Sequence, residues 1–114
     1  MKKIFLIGIL SAVVFAGCAQ PTPTENLDEF AQCLTTKWAV MYGSKTCPHC
    51  LKQKAMFGDS FQYITYVECT QEAERCGNEL EWNSVPAWKF ADWTQVEWLQ
   101  ELAVLAGKTD CLLP

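Results

Sequence analysis

The residues most able to do chemistry in this 114-residue chain are two cysteines separated by a proline and a histidine, in the order Cys47, Pro48, His49, Cys50. Two cysteines at this spacing can close a small disulfide ring or release two thiols. They follow an apolar, strand-like run and begin a segment that predicts a helix over residues 51–57. Because a helix N-terminus favours negative charge, a sulfur placed there is expected to be stabilised as the reactive thiolate.

The four residues have different expected roles. Cys47 is the candidate nucleophile, and Cys50 is expected to be more buried and to resolve the mixed disulfide that Cys47 forms. Pro48 suits the first turn of a helix, where its missing N–H costs no hydrogen bond. His49 can stabilise a neighbouring thiolate. The alternative for His49 is a solvated helix residue with no part in proton transfer.

Other uses of the same cysteines stay open. Two cysteine pairs along one chain, Cys47 with Cys50 and Cys69 with Cys76, are spaced somewhat like zinc ligands, although the second pair is wide for that purpose. Copper could also be held by the first pair together with His49. A metal-binding or metal-delivery module is therefore the alternative to redox chemistry, and a domain merely stabilised by disulfides is the third hypothesis.

The N-terminus has the organisation of an export signal. Lysines precede an apolar stretch at residues 4–15, and small residues come directly before Cys18. We expect residues 1–17 to be a signal peptide and residues 18–25 to comprise a lipidated cysteine and a tether, followed by one domain at 26–114. Ordinary signal cleavage and an uncleaved anchor are the alternatives. The expected location is the cell envelope, with the domain attached to a membrane by lipid and facing the periplasm or the exterior.

Composition narrows the possible functions. Half of the residues are apolar and 19% are charged, which is enough apolar material for one packed domain. The formal net charge is −4, with 13 acidic and 9 basic side chains. Nucleic-acid binding needs clustered lysine and arginine, so we expect no nucleic-acid partner. No motif predicts a bound cofactor or a dedicated metal site.

Seven cysteines in an exported chain indicate structural disulfides. With the lipidated cysteine and the candidate active pair set aside, four remain. A bond between Cys69 and Cys76 requires that Cys69 end a strand and that a loop follow it, because within one helix the two residues would lie about 10 Å apart. By elimination Cys33 would then pair with Cys111 and join the first helix to the C-terminal tail. Other pairings stay open.

Hydrophobic periodicity predicts alternating strands and helices. Asn26 and Glu29 suggest a capping box at the start of the first helix. The predicted strands are residues 38–42, 61–67 and 85–90, and the later predicted helices are residues 51–57, 71–82 and 96–106, the last closed by Gly107. This order predicts an α/β fold whose central mixed sheet of three to four strands is flanked by helices.

The five tryptophans are expected to pack mainly in the core or at its rim. Trp93 and Trp98 are the least obviously buried of them. A partner surface is therefore expected near those two residues if one exists in this part of the chain.

The segment from Met41 through Trp88 resembles the thioredoxin-like domain associated with bacterial vitamin K epoxide reductase (VKOR) homologues. The matching residues are Met41-Tyr42-Gly43, Cys47-Pro48-His49-Cys50, Gln53-Lys54, Phe57-Gly58, Tyr66-Val67-Glu68-Cys69, Cys76 and Pro86-x-Trp88. The Cys-Pro-His-Cys tetrapeptide is also that of the periplasmic oxidant DsbA.

This resemblance implies a thioredoxin fold and dithiol–disulfide exchange with cysteine-containing exported proteins. It implies a quinone-linked membrane partner of the VKOR or DsbB type that reoxidises the site in trans. It also implies that Pro86 is a cis-proline facing the cysteines and that the backbone of Val85 pairs with substrate. The chain differs from the family at Thr46, where a tryptophan is usual, and at Ala87, where a threonine is usual. The implied activity is that of an envelope thiol–disulfide oxidoreductase acting as an oxidant.

Overall fold

The computed structural model describes residues 26–114. The expectations for the signal peptide, for Cys18 and for the tether fall on residues outside that range. The described elements, in chain order, are α1 Asp28–Thr36, β1 Val40–Gly43, α2 Pro48–Phe57, a 3₁₀ helix Gly58–Tyr63, β2 Thr65–Glu68, α3 Ala73–Glu79, β3 Ala87–Lys89, β4 Gln95–Glu97 and α4 Leu102–Thr109. None of the helices in this range is long and apolar enough to cross a membrane.

The four strands form one mixed sheet in the order β2-β1-β3-β4. The central strand β1 runs parallel to β2 and antiparallel to β3, and β4 is antiparallel to β3 at the edge. Parallel neighbours need a crossover connection, and α2 with the 3₁₀ helix supplies it between β1 and β2. The predicted α/β architecture is therefore confirmed, and the arrangement is compatible with a thioredoxin-like fold.

Both faces of the sheet are apolar because successive strand residues point to opposite sides. In β1, Met41 belongs to the larger core under α1, α2 and α4, whereas Tyr42 belongs to a smaller core under α3. In β3, Trp88 likewise belongs to the larger core and Ala87 to the smaller core. The cysteine pair thus lies on a helix packed against the larger and better-covered face.

The predicted helix over residues 96–106 is wrong in its first half. Val96 lies in β4, where it is paired with Trp88 of β3. Trp98 has a φ of 70°, a left-handed conformation that an α-helix of L-residues does not contain. Periodicity suggested a helix because the apolar residues fall at helical spacing, but pairing with a distant strand determines the local structure.

Other predicted boundaries also differ. Gly107 lies inside α4, and the left-handed residue that ends this helix is Asp110, with a φ of 57°. The start of the predicted strand over residues 61–67 belongs to the 3₁₀ helix, and the predicted helix over residues 71–82 is confined to α3. Asn26 accepts a hydrogen bond from the N–H of its second neighbour, but the N-cap position has no side-chain cap, so the capping box is wrong.

The tryptophans are far more exposed than expected, since Trp88 alone among the five is buried. Three of the others, Trp38, Trp93 and Trp98, have positive φ angles of 63°, 67° and 70°. Their backbone conformation places them in turns at the ends of elements, which lie at the surface. Trp82, in the connection before β3, is also exposed.

Candidate active site

Cys47 occupies the N-cap position of α2. Its backbone is extended, Pro48 begins the helix, and the N–H of Cys50 donates a hydrogen bond to Cys47 Sγ at 3.3 Å. The side chain is half-buried. A helix N-terminus and a donated N–H both favour negative charge on the sulfur, so Cys47 combines access with stabilisation of a thiolate. The structure therefore places this sulfur at the helix start that the sequence indicated.

Cys50 lies one turn into the helix and is completely buried. Burial, together with a hydrogen bond to Cys47, raises the pKa of Cys50 to about 12. A thiol with so high a pKa stays protonated at neutral pH and is a poor nucleophile until its environment changes. The two sulfurs therefore differ in access, as expected for a nucleophile and a resolving thiol.

Val85 and Pro86 form the opposite wall of the site. The peptide bond between them is cis, and Pro86 is buried. The thiol of Cys47 donates to the carbonyl oxygen of Val85 at 3.7 Å, across 38 residues of sequence. The structure thus brings a main-chain acceptor directly beside the candidate nucleophile.

His49 is exposed and faces a tryptophan rather than a sulfur. Its ring meets the ring of Trp98 edge-on, with 6.1 Å between centroids. Within residues 26–114, His49 makes no hydrogen bond to Cys47 or to Cys50. The geometry therefore gives His49 a position on the rim of the site, and the expected tuning of Cys47 by His49 stays a prediction.

A polar cluster behind Cys50 was missed by sequence reasoning. A side-chain carbon added at Gly43 would lie 3.0 Å from the Tyr66 hydroxyl and 3.3 Å from Cys50 Sγ, so this glycine permits the close approach of ring and sulfur. The Tyr66 hydroxyl donates to Glu68 at 3.0 Å, and Lys54 Nζ lies 3.9 Å from the centre of the Tyr66 ring. Burial, then the hydrogen bond to Glu68, raises the pKa of Tyr66.

This cluster had only a weak signal in the sequence. Gly43 could be interpreted as a strand terminator, whereas it is the last residue of β1. Lys54, Tyr66 and Glu68 were among the residues that carried the family resemblance, but nothing in their spacing showed that they share one location. The crossover between β1 and β2 brings them together.

The remaining four cysteines are paired in the way that the sequence favoured. Cys33 is bonded to Cys111, and Cys69 is bonded to Cys76. The four sulfurs of the alternative metal site are therefore not assembled, because two of them are bonded to each other. Across residues 26–114, no group of three His, Cys, Asp or Glu side chains lies close enough to hold a metal ion.

The fold and this site support a redox function of the thiol–disulfide exchange type. A free cysteine pair begins a helix on a mixed sheet, with one sulfur accessible and the other buried. Exchange needs one sulfur that a second molecule can reach and a partner thiol held close by, and this arrangement supplies both.

Comparison with known proteins points to the same class. Over 51 residues the chain is 39% identical to the thiol-disulfide oxidoreductase LTO1 of Arabidopsis thaliana. The matched segment covers 44% of this chain and 14% of LTO1. No protein-family model matches the chain.

Proposed function

We propose that this protein is an envelope thiol–disulfide oxidoreductase that oxidises cysteines of exported proteins through Cys47 and Cys50. The observation that carries the proposal is the asymmetry of the pair. Cys47 is half-buried at a helix start, whereas Cys50 is fully buried with its pKa raised to about 12. Cys47 is also the N-cap of α2 with the N–H of Cys50 directed at its sulfur, an arrangement that the disulfide-bonded pair Cys69–Cys76 lacks.

The exchange proceeds in two displacements. In the first, a substrate thiolate attacks Cys47 Sγ of the Cys47–Cys50 disulfide, and Cys50 leaves with the bonding electron pair and takes up a proton. In the second, another substrate thiolate attacks the substrate sulfur of the mixed disulfide, and Cys47 leaves as a thiolate. The substrate dithiol loses two electrons and two protons and becomes a disulfide; Cys50 takes up one proton and water takes up the other. The N-terminus of α2 lowers the barrier of the second step by stabilising the departing Cys47 thiolate.

Main-chain pairing would hold the substrate during these steps. The carbonyl of Val85 lies 3.7 Å from Cys47 Sγ, so an N–H of an extended polypeptide that bonds to this oxygen also brings its cysteine to the reactive sulfur. Recognition through backbone groups tolerates many sequences. This tolerance suits an enzyme that acts on many exported proteins.

After it has oxidised a substrate, the reduced enzyme must transfer two electrons to another molecule before it can act again. We place this step with a quinone-linked membrane partner of the VKOR or DsbB type that acts in trans. The family resemblance around Cys47 supports this partner, and the apolar N-terminal segment followed by Cys18 supports a location on a membrane in the cell envelope.

Trapping tests the exchange chemistry in cells that produce the full chain. Cys50→Ala should accumulate mixed disulfides with exported proteins, visible as adducts that disappear on reduction. In this variant the Cys47 thiolate attacks a disulfide of an exported protein, the reverse of the second displacement, and one substrate sulfur leaves as a thiolate. Without the Cys50 thiol, the adduct is not released by the neighbouring residue. The double variant Cys47→Ser with Cys50→Ala is the matched control and should form none. The same adducts in both variants would contradict the proposal.

A redox titration tests the direction. A midpoint potential near −120 mV would support an oxidant, and one near −270 mV would show a reductase instead. Metal analysis of the reduced protein provides a separate check. Zinc or copper retained at one equivalent by the wild type and lost in Cys47→Ser would favour the metal-binding alternative.

A further inference from the structure

Trp98 lies on the rim of the cysteine site although it is far from Cys47 in sequence. Its N–H donates to the carbonyl of Pro86 at 2.9 Å, and its ring meets the ring of His49 with 6.1 Å between centroids. The side chain is 61% exposed. A large aromatic ring held against His49, two residues from Cys47, and left open to water is available to bind an apolar group.

The backbone of Trp98 is held in an uncommon conformation. Its φ of 70° is unfavourable for a residue with a bulky side chain and persists only where neighbouring contacts impose it. Those contacts are present on both sides of the residue. The N–H is bonded to Pro86, and the carbonyl oxygen accepts from the side chain of Gln100 at 3.2 Å. The same Gln100 side chain donates to the carbonyl of Glu97 at 2.6 Å.

Gln53 ties this loop to the helix that carries the cysteines. Gln53 lies on α2 and is fully buried. Its Oε1 accepts from the N–H of Gln100 at 2.7 Å and from the indole N–H of Trp88 at 3.3 Å. Its Nε2 donates to the carbonyl of Gln100 at 3.1 Å. A buried amide satisfied in this way fixes the loop of Trp98 relative to Cys50, one turn before Gln53 on the same helix.

We propose that Trp98 and His49 form the aromatic wall of a substrate subsite and that Gln53 is the positioning residue that keeps Trp98 beside the helix of Cys47. The inference rests on the proposed exchange function and names its substrate class. The subsite takes an aliphatic or aromatic side chain adjacent to the reacting cysteine of an extended polypeptide.

Two observations favour this occupant. The carbonyl of Val85 beside Cys47 Sγ offers main-chain pairing to an extended chain, which directs the residues next to a cysteine to the sides of the site. The residue before Cys47 is Thr46, a small polar side chain. Thr46 therefore offers no large apolar surface, whereas Trp98 offers one against His49.

Trp93 supplies a matched control. It is also an exposed tryptophan, at 77%, with a similar φ of 67°. It lies in the turn between β3 and β4, where its ring is near Lys89 Nζ, with 5.4 Å from the nitrogen to the ring centre. Loss of Trp93 removes a comparable amount of exposed aromatic surface without touching His49 or Pro86.

Exchange kinetics with the full chain test the subsite. The substrates are three peptides that differ only in the residue next to the cysteine (Leu, Gly or Lys) and one small disulfide, hydroxyethyl disulfide. Trp98→Ala should lower kcat/KM for the Leu peptide about tenfold, mainly by raising KM. The kcat/KM for the small disulfide should not change. Trp98→Phe should retain most of the Leu-peptide activity. Trp93→Ala should change kcat/KM for neither the Leu peptide nor the small disulfide.

Gln100→Ala tests the positioning of the loop without opening the buried amide of Gln53. It removes the side-chain bonds to Trp98 and Glu97 and should raise KM for the Leu peptide while kcat for the small disulfide stays constant. Gln53→Met, where it folds, should show the same division of effects. If activity with both substrates falls together, Gln53 has a purely structural role, and its assignment as a positioning residue is overturned.

A binding measurement separates the subsite from the chemistry. A labelled peptide with Leu next to Ser, in place of the cysteine, binds without exchange, and fluorescence anisotropy gives its Kd. The expected Kd is about tenfold higher for Trp98→Ala than for Trp93→Ala or for the wild type. This result would support the subsite even if Cys47→Ser showed that exchange does not depend on Cys47. Equal Kd values for the two tryptophan variants, or equal kcat/KM for the Leu and Gly peptides, would overturn it.

Discussion

Two cysteine pairs occupy comparable places in the fold and differ in chemical state. Cys47 and Cys50 follow the end of β1, and Cys69 and Cys76 follow the end of the neighbouring parallel strand β2. In each pair the first cysteine is half-buried and the second is buried in a helix. The first pair is free and the second is bonded. Exposure alone therefore does not distinguish a reactive pair from a structural one.

The position of the first sulfur relative to a helix N-terminus does distinguish them. Cys47 is the N-cap of α2, with the N–H of Cys50 directed at its sulfur. Cys69 instead continues the strand pairing, since its N–H donates to the carbonyl of Gly43 at 2.8 Å, and α3 has Glu72 at its N-cap position. The peptide dipoles at a helix start stabilise negative charge on a sulfur that lies there. A sulfur at the end of a strand can instead link that strand to another element through a disulfide bond.

The largest expected effect is a difference in alkylation rate between the two free thiols. Burial, with the hydrogen bond to Cys47, raises the pKa of Cys50 to about 12. About one Cys50 in 10⁴ is then ionised at pH 8. Iodoacetamide should modify Cys50→Ala, which retains Cys47, at least about 100-fold faster than it modifies Cys47→Ser, which retains Cys50.

The pH dependence of labelling sharpens this comparison. In Cys47→Ser, the rate at Cys50 should continue to rise with pH above the range in which an exposed thiol levels off, because burial, the largest cause of its raised pKa, remains when Cys47 is replaced. Mass spectrometry of the labelled peptides measures the rates, and protein unfolded in guanidinium is the control in which both thiols react. An alkylation rate of Cys50 that stops rising near pH 9 would contradict the burial of this thiol.

The next largest effect concerns the two structural disulfides. The Cys33–Cys111 bond joins residues 78 apart, and the Cys69–Cys76 bond joins residues 7 apart. Because the entropy lost by the unfolded chain grows with loop length, replacing the first pair by alanine should cost about 4 kcal/mol of unfolding free energy, and replacing the second about 2 kcal/mol.

Denaturant titration of the two double variants measures these costs. Exchange activity in the folded Cys69→Ala, Cys76→Ala variant should remain close to that of the wild type, because this pair supports α3 rather than the reactive sulfur. An exchange rate that falls as far as in Cys47→Ser would remove the distinction between reactive and structural pairs.

A smaller effect is expected from a methyl group at Gly43. The added carbon would lie 3.0 Å from the Tyr66 ring and 3.3 Å from Cys50 Sγ, so Gly43→Ala should cost about 1–3 kcal/mol of stability through overpacking. Gly77→Ala in α3 is the matched control. It has nothing within 4 Å and should stabilise the helix by about 0.5–1 kcal/mol. Thermal unfolding compares the two, and equal shifts in Tm would contradict the close approach at Gly43.

The smallest effect concerns the polar contacts that hold α3 on the sheet. Burial raises the pKa of Glu79, but hydrogen bonds from Tyr42 and Arg75 outweigh it, so the pKa is lowered overall. The carboxylate is partly exposed and screened by water, so Glu79→Gln should cost only about 0.5 kcal/mol at pH 7.

The sign of its pH dependence follows from the lowered pKa. The contribution is present above the pKa that Glu79 has in the unfolded chain and is lost as the pH falls through the lowered pKa of the folded state. Wild type and Glu79→Gln should therefore differ in urea midpoint at pH 7 and converge in acid. A difference that grows in acid would show that the carboxylate is not held ionised.

Much of the fold could be predicted because it depends on local patterns. The alternation of strands and helices follows from hydrophobic periodicity, and the location of Cys47 at a helix start follows from Pro48 and the apolar strand before it. The Cys69–Cys76 bond required a loop after Cys69, and α3 begins only at Ala73.

The errors and omissions involve partners that are distant in sequence. Val96 joins a strand because Trp88 pairs with it, and the contact of Gln53 with Gln100 spans 47 residues. The exposed tryptophans were misjudged because apolar character indicates burial, whereas the positive φ angles that place them at surface turns are set by surrounding contacts.

The sequence by itself therefore identified the candidate reactive residues and the elements that carry them, because helix starts, strand ends and cysteine spacing are local properties. Only the tertiary structure decided what surrounds the reactive sulfur. The carbonyl of Val85 lies beside Cys47, the ring of Trp98 contacts His49, and the absence of a side chain at Gly43 leaves room for Cys50. These groups come from separate elements, and packing of those elements into one fold brings them to the helix that carries the cysteines.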